Sequence, residues 1–206
     1  MELLKKVKTI EVKRCFVFSQ RFTSKNMRKE SVKKKIIKPS KEALLNNLDK
    51  VKKQVLKLKE SSLDNVIADE YKKRLWAYNQ LDWYIGIVDL TEVGIWRRTG
   101  GTPESWAKGS LKETAIRFKK ELRNENSRFK KVRSIKVVPQ IIKSKQIIKK
   151  EKYLMPILLP TGIIPETRKG MRKTRFYIDD GTMRTLAFTS TGDKRVKAFI
   201  GIFRNK

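Results

Sequence analysis

The segment Phe176–Phe203, FYIDDGTMRTLAFTSTGDKRVKAFIGIF, carries the clearest fold signal in the chain. Phe176 to Asp179, Met183 to Ser190 and Arg195 to Phe203 are rich in aromatic and β-branched types, and Asp180-Gly181 and Thr191-Gly192-Asp193 part them with turn chemistry. The pattern predicts a three-stranded antiparallel meander. Upstream, Pro156, Pro160 and Pro165 hold Tyr153 to Glu166 in an extended course. Arg168, Lys169, Arg172, Lys173 and Arg175 then crowd around Gly170 in a basic loop. Between Val132 and Lys152 the pairs Val137-Val138, Ile141-Ile142 and Ile147-Ile148 alternate with lysines. Pro139 predicts that any strand here lies at a sheet edge, where lysines resist self-pairing.

Ser110 and Glu113 have the spacing of a capping box. The helix they predict carries Leu111, Ala115, Phe118, Leu122 and Phe129 on one face, with Lys112, Lys119, Lys120, Arg123 and Lys130 around it. Before it, Arg97, Arg98, Thr99, Gly100, Gly101, Thr102 and Pro103 form a basic glycine-containing loop whose amides suit a phosphate, although no Gly-Lys-Ser/Thr follows. Trp96 and Trp106 flank this loop as candidate platforms for base stacking. Ile85, Ile87 and Val88, followed by Ile95 and Trp96, read as a strand pair.

Two helices precede it. Ser40 caps one with Leu44, Leu48, Val51, Val55 and Leu58 in alternating steps of four and three, and Ser61-Ser62 opens another with Leu63, Ile67, Tyr71, Leu75, Tyr78 and Leu81 on one face. Together they read as an antiparallel hairpin. Residues 23–39, with Lys25, Arg28, Lys29, Lys33, Lys34, Lys35 and Lys38, read as a basic arm ending at Pro39. Val7, Ile10, Val12, Phe16, Val17 and Phe18 predict a strand over 7–19. The expected organisation is therefore an N-terminal strand region at 1–22, the basic arm or linker at 23–39, a helical, Trp-rich centre at 40–130, and a basic β-rich region at 131–206. The expected fold class is α+β: a helical hairpin and one basic helix packed on a mainly antiparallel sheet, with the C-terminal meander and the extended arm.

The chain has 206 residues, with 51 Lys plus Arg against 21 Asp plus Glu, and a formal charge of +30. The charge is unevenly laid out: net +13 over residues 1–60, −1 over 61–110 and +18 over 111–206. All four Trp and three of the five Tyr lie in the neutral middle, which marks it as core or interface. A small domain typically carries a net charge of about 2 to 8, so +30 calls for a polyanionic partner. The cations comprise 35 Lys and 16 Arg. Lysine meets phosphate as a point charge, whereas arginine supplies the fork that reads guanine edges, so the balance favours backbone contact over base readout.

The absence of His and the single Cys15 exclude zinc fingers, intrachain disulfides, and Ser-His-Asp or Cys-His catalysis. Cys15 reads as a small buried thiol. No apolar run reaches 18 residues, so no membrane span is expected, and residues 1–8 lack an export signal. Tyr177-Ile178-Asp179-Asp180 resembles the Tyr-x-Asp-Asp string of reverse transcriptases, in which the aspartates lie on a β-hairpin and bind two metal ions. The resemblance covers four residues, and an Asp180-Gly181 hairpin turn explains the same letters. Glu166, Asp179, Asp180 and Asp193 are the carboxylates available to a metal-dependent nuclease, but nothing sets their spacing.

The expected function is a non-catalytic structural protein that binds nucleic-acid backbone without sequence choice, within a nucleoprotein particle such as a virion or a ribosome-like assembly. No cofactor is expected. The expected partners are DNA or RNA phosphates and other proteins of the assembly, and the expected location is cytoplasm, nucleoid or the interior of a viral particle. Lys33, Lys34, Lys35, Arg97, Arg98, Lys130, Lys131, Arg133, Arg168, Lys169, Arg172, Lys173 and Arg175 are the expected phosphate contacts. The alternatives are an assembly subunit docking through the Trp-rich centre and a metal-dependent nuclease.

Overall fold

The computed structural model describes residues 1–27, 41–95, 102–106, 110–164 and 174–204. Among these residues six strands, β1 (Glu2–Val7), β2 (Leu81–Asp89), β3 (Val93–Ile95), β4 (Ile157–Pro160), β5 (Phe176–Asp180) and β6 (Arg195–Phe203), form one mixed sheet in the order β1-β2-β6-β4-β5-β3. The helices are α1 (Thr9–Met27), α2 (Lys41–Leu56), α3 (Glu60–Gln80), α4 (Leu111–Arg123), α5 (Arg133–Lys143), α6 (Lys145–Lys150) and α7 (Thr182–Ser190). The α+β class holds. The single sheet draws strands from both ends of the chain, and among the described residues no helix is long and apolar enough to cross a membrane.

The β2–β6 ladder is the sheet's spine, running antiparallel without a slip from Leu81↔Phe203 to Asp89↔Arg195. Strands β4 and β5 carry the apolar runs Ile157–Leu159 and Phe176–Ile178, buried on both faces as central strands require. At the outer edge β1 is exposed along most of its length, and its register slips between Leu3 and Lys5. Gly86 lies beneath this irregularity: a Cβ there would come within 2.6 Å of the Glu2 carbonyl oxygen, so only glycine lets the two backbones approach.

Three expected strands are helices, each for a physical reason. Residues 9–27 form α1 rather than a 7–19 strand. The continuous apolar run Cys15–Phe18 is buried all round, because α1 packs against α2, α3 and the turn at 152–154; such a run has no period with which to choose between strand and helix. Residues 183–190 form α7, so the meander loses its middle strand. Strand β4 inserts between β5 and β6, and the connection must cross over it. Three threonines settle into the helical course by donating to carbonyls four residues back: Thr185 to Gly181 (2.9 Å), Thr189 to Thr185 (2.7 Å) and Thr191 to Ala187 (3.1 Å).

Residues 133–150 form α5 and α6 instead of edge strands. The step of four from Val137-Val138 to Ile141-Ile142 is a helical repeat, and the helix absorbs Pro139 at the loss of one backbone bond. The expected pairing of 83–90 with 95–96 is also replaced: β3 pairs in parallel with β5, and β2 lies between β1 and β6. Helices α2 and α3 form near their expected places, and each packs on α1.

Candidate nucleic-acid interface

Helix α4 is the best-anchored basic element. The Ser110 N–H donates to Glu113 Oε2 (2.9 Å), and the Glu113 N–H donates to Ser110 Oγ (3.3 Å), which completes the capping box read from sequence. Leu111, Thr114, Ala115 and Phe118 are buried, with α4 packed on α7 and β3. Thr114 donates its hydroxyl to the Trp106 carbonyl (3.0 Å), and Arg117 Nη1 donates to the Ser105 carbonyl (2.6 Å). The opposite face is solvated. Lys112, Ile116, Lys119, Lys120 and Arg123 follow at i, i+4, i+7, i+8 and i+11, all exposed.

Further exposed cations follow on the next turn and on α5. Ser127 Oγ donates to Glu121 Oε2 (2.6 Å) and accepts from the Phe129 N–H (3.1 Å), which shapes the turn carrying Arg128, Lys130 and Lys131. Helix α5 then exposes Arg133, Lys136, Gln140 and Lys143 while burying Ser134 and Val138. Across residues 112–143, eleven exposed side chains are basic and two, Glu113 and Glu125, are acidic. Among the described residues no carboxylate lies at ion-pair distance from Lys112, Lys119, Lys120 or Arg123.

The cations inside the fold behave differently. Lys13, almost fully buried, reaches Glu60 (2.8 Å) and Asp64 (2.7 Å) on α3. Arg74 Nε donates to both oxygens of Asp179 (2.9 Å each), and the Tyr78 hydroxyl adds a 2.7 Å bond to Oδ2. The Asp179 side chain is only 2% exposed. Burial works against the Arg74 cation, yet the Asp179 charge prevails and lifts its pKa. Burial first, and Asp179 second, push the Tyr78 phenol well above its ordinary range. Asp180 accepts from Arg184 Nη2 (2.7 Å), whose Nη1 donates to Ser19 Oγ on α1 (2.8 Å). Asp193 is gripped by Lys145 and Lys149, at 3.0 Å each.

These contacts assign structural work to the carboxylates singled out from sequence. Asp180-Gly181 is a strand-to-helix junction, with Gly181 in the left-handed region (φ 95°) at the start of α7, and not a hairpin turn. Glu166 lies outside the described residues. Among those described, no three Asp, Glu, Cys or His side chains are grouped to hold a metal ion. Cys15 is the expected buried thiol, its Sγ 3.2 Å from the Tyr153 carbonyl, and burial pushes its pKa up.

No family model, curated protein or solved structure matches the chain. Of the expected phosphate contacts, Lys130, Lys131 and Arg133 lie exposed on the turn after α4 and at the start of α5, and Arg175 is exposed just before β5, its guanidinium over the Phe176 ring (5.3 Å). Lys33, Lys34, Lys35, Arg97, Arg98, Arg168, Lys169, Arg172 and Lys173 lie outside the described residues, as do Trp96 and most of the 23–39 arm.

Trp106 corrects an expectation. It is 4% exposed, edge-on to Phe129 (5.2 Å), and serves the core beneath α4 rather than a stacking surface. Trp83 is also buried, whereas Trp76 on α3 is 51% exposed. Sequence reading missed Arg74, Tyr78 and Arg184, which lie far along the chain from, or in a misassigned element beside, the aspartates they hold. It also missed Ile116, which the α4 periodicity does place on the basic face.

Proposed function

We propose that this protein binds the phosphate backbone of nucleic acid without sequence choice, as a non-catalytic structural component of a nucleoprotein particle. The observation that carries this reading is the surface of residues 112–143, where eleven exposed cations face two carboxylates on a scaffold fastened by a capping box and a buried face. Lysine and arginine held on rigid helices release condensed counterions on meeting phosphate, which provides affinity indifferent to base identity. The Asp179 and Asp180 carboxylates are consumed by Arg74, Tyr78 and Arg184, which favours binding over metal-assisted cleavage.

A binding titration over salt tests it. With six to ten phosphates engaged, affinity falls by roughly 10³ to 10⁵ between about 50 and 200 mM salt, equally for unrelated sequences. A salt-independent affinity, or none, sinks the reading. The exposed Trp76 supports a second one, a protein-docking patch on α3. In that case a partner stays bound after nuclease treatment, and Trp76→Ala releases it.

A further inference from the structure

Ile116 lies at the centre of the α4 basic face and is 61% exposed. At about 100° per residue, Lys112 and Lys119 fall on one side of it and Lys120 and Arg117 on the other. Arg123 continues nearly in line, two turns further on. The neighbouring Glu113 is engaged with the Ser110 N–H. The arrangement is one exposed apolar side chain between cations, with Glu113 lying between Lys120 and Arg117 on one side, on a helix whose other face is locked by Leu111, Ala115 and Phe118.

The partner that fits has two anionic walls and a floor with apolar groups. Duplex DNA in the B form has this shape: its major groove is about 12 Å wide, admits a helix of about 10–12 Å diameter, and exposes thymine C5-methyl groups between two phosphate rows. The corresponding RNA groove is too deep and narrow for a helix. Single strands are held chiefly by aromatic stacking, and the α4 face has no aromatic side chain. We infer that α4 enters the major groove of duplex DNA, with Ile116 against the base edges and the flanking lysines on opposite phosphate rows. This rests on the nucleic-acid reading above, names its ligand and its element, and narrows its indifference to sequence by a preference of about tenfold for thymine-bearing grooves, added to a phosphate contribution common to all duplexes.

The test uses the full chain with four labelled probes: a short DNA duplex, the same duplex with uracil in place of thymine, the matching RNA duplex and a single DNA strand. The wild type is expected to prefer the thymine duplex over the other three. Lys119→Ala and Lys120→Ala each lower the slope of log affinity against log salt by about one. Ile116→Ala weakens the thymine duplex about tenfold, the effect of uncovering roughly two methylene groups, and no longer distinguishes thymine from uracil. All three positions are exposed, and circular dichroism verifies that the variants fold. A wild type that binds DNA while all three variants match it in affinity and slope overturns the α4 inference and leaves the backbone-binding reading standing. Equal or tighter binding to RNA duplex or single strand overturns the duplex-DNA inference in the same way. A wild type that binds none of the four probes overturns the reading itself.

Discussion

Arg74, midway along α3, forms a two-oxygen contact with Asp179 at the end of β5, 105 residues away, while its guanidinium stacks 4.6 Å over the Phe16 ring of α1. One side chain thus fastens α1, α3 and the sheet to one another. Tyr78, a turn further along α3, completes the clasp.

Breaking that clasp is expected to be severe. Asp179→Ala leaves the buried Arg74 cation without its partner, a loss of about 3–5 kcal/mol. Replacing both residues together, as Arg74→Met with Asp179→Leu, costs less than the single change because no charge is stranded. Urea denaturation midpoints measure both, and a wild-type midpoint for Asp179→Ala refutes the structural role.

Acid sensitivity has an identifiable contributor in Asp193. Burial favours its neutral form, but hydrogen bonds from Lys149 and Lys145 prevail and hold its pKa below the ordinary 3.8. A carboxyl with a depressed folded pKa contributes stability that is present above its unfolded pKa and lost as pH falls through the folded one. The unfolding midpoint is therefore expected to drop below about pH 4 with an Asp193 share that Asp193→Asn removes. Superimposable profiles of the two proteins between pH 5 and 2 would contradict this.

At the alkaline end Lys13 acts with the opposite sign. Burial lowers its pKa, but bonds to Asp64 and Glu60 raise it above the ordinary 10.5. Its contribution is complete below the unfolded pKa and disappears as pH rises through the folded one. Lys13→Met is expected to flatten the decline in stability above pH 10.5 seen in the wild type; an unaltered decline disproves the assignment.

Gly86→Ala places a methyl group 2.6 Å from the Glu2 carbonyl oxygen and is expected to push β1 off the sheet, at roughly 1–3 kcal/mol. Amide hydrogen exchange checks the location: protection is lost in residues 2–7 ahead of β6. Unchanged exchange in β1 means that the strands do not approach as described.

Trp106→Ala removes a core ring edge-on to Phe129 and is expected to cost about 3–5 kcal/mol. Since Trp106 faces inward, the variant that remains folded keeps the wild-type salt slope on nucleic acid. A selective loss of single-strand affinity would restore the stacking role.

Features whose signal is local were readable from the sequence. The Ser110–Glu113 box, the Leu111, Ala115 and Phe118 part of the α4 stripe, and the β-branched runs of β5 and β6 each declare themselves within ten residues or so and appear in place, whereas Leu122 is exposed and Phe129 lies beyond the end of α4 at Arg123. Where burial is complete, periodicity vanishes: Cys15–Phe18 has apolar side chains and Thr185–Ser190 apolar or hydroxyl side chains on every face, and only their neighbours decide that both are helical. The crossover of α7 depends on β4 entering between β5 and β6, a fact of topology with no local trace. The clasp of Asp179 by Arg74 is equally non-local. In the candidate site, the cluster at 130–133 was legible as charge. The turn that joins it to α4, built by Glu121, Ser127 and Phe129, left no such signal.

The slipped register of β1 between Leu3 and Lys5 has a consequence under the proposed function, in which many copies would gather on one polyanion. Mutual repulsion of +30 molecules keeps them apart in free solution, but neutralisation by phosphate abolishes that protection. A straight outer strand bearing Leu3 and Leu4 would then invite its neighbours to zip edge to edge into fibres. The kink at Leu4 and the ammonium groups of Lys5 and Lys6 spoil the template for such growth, a safeguard of shape that persists after the electrostatic one has been discharged.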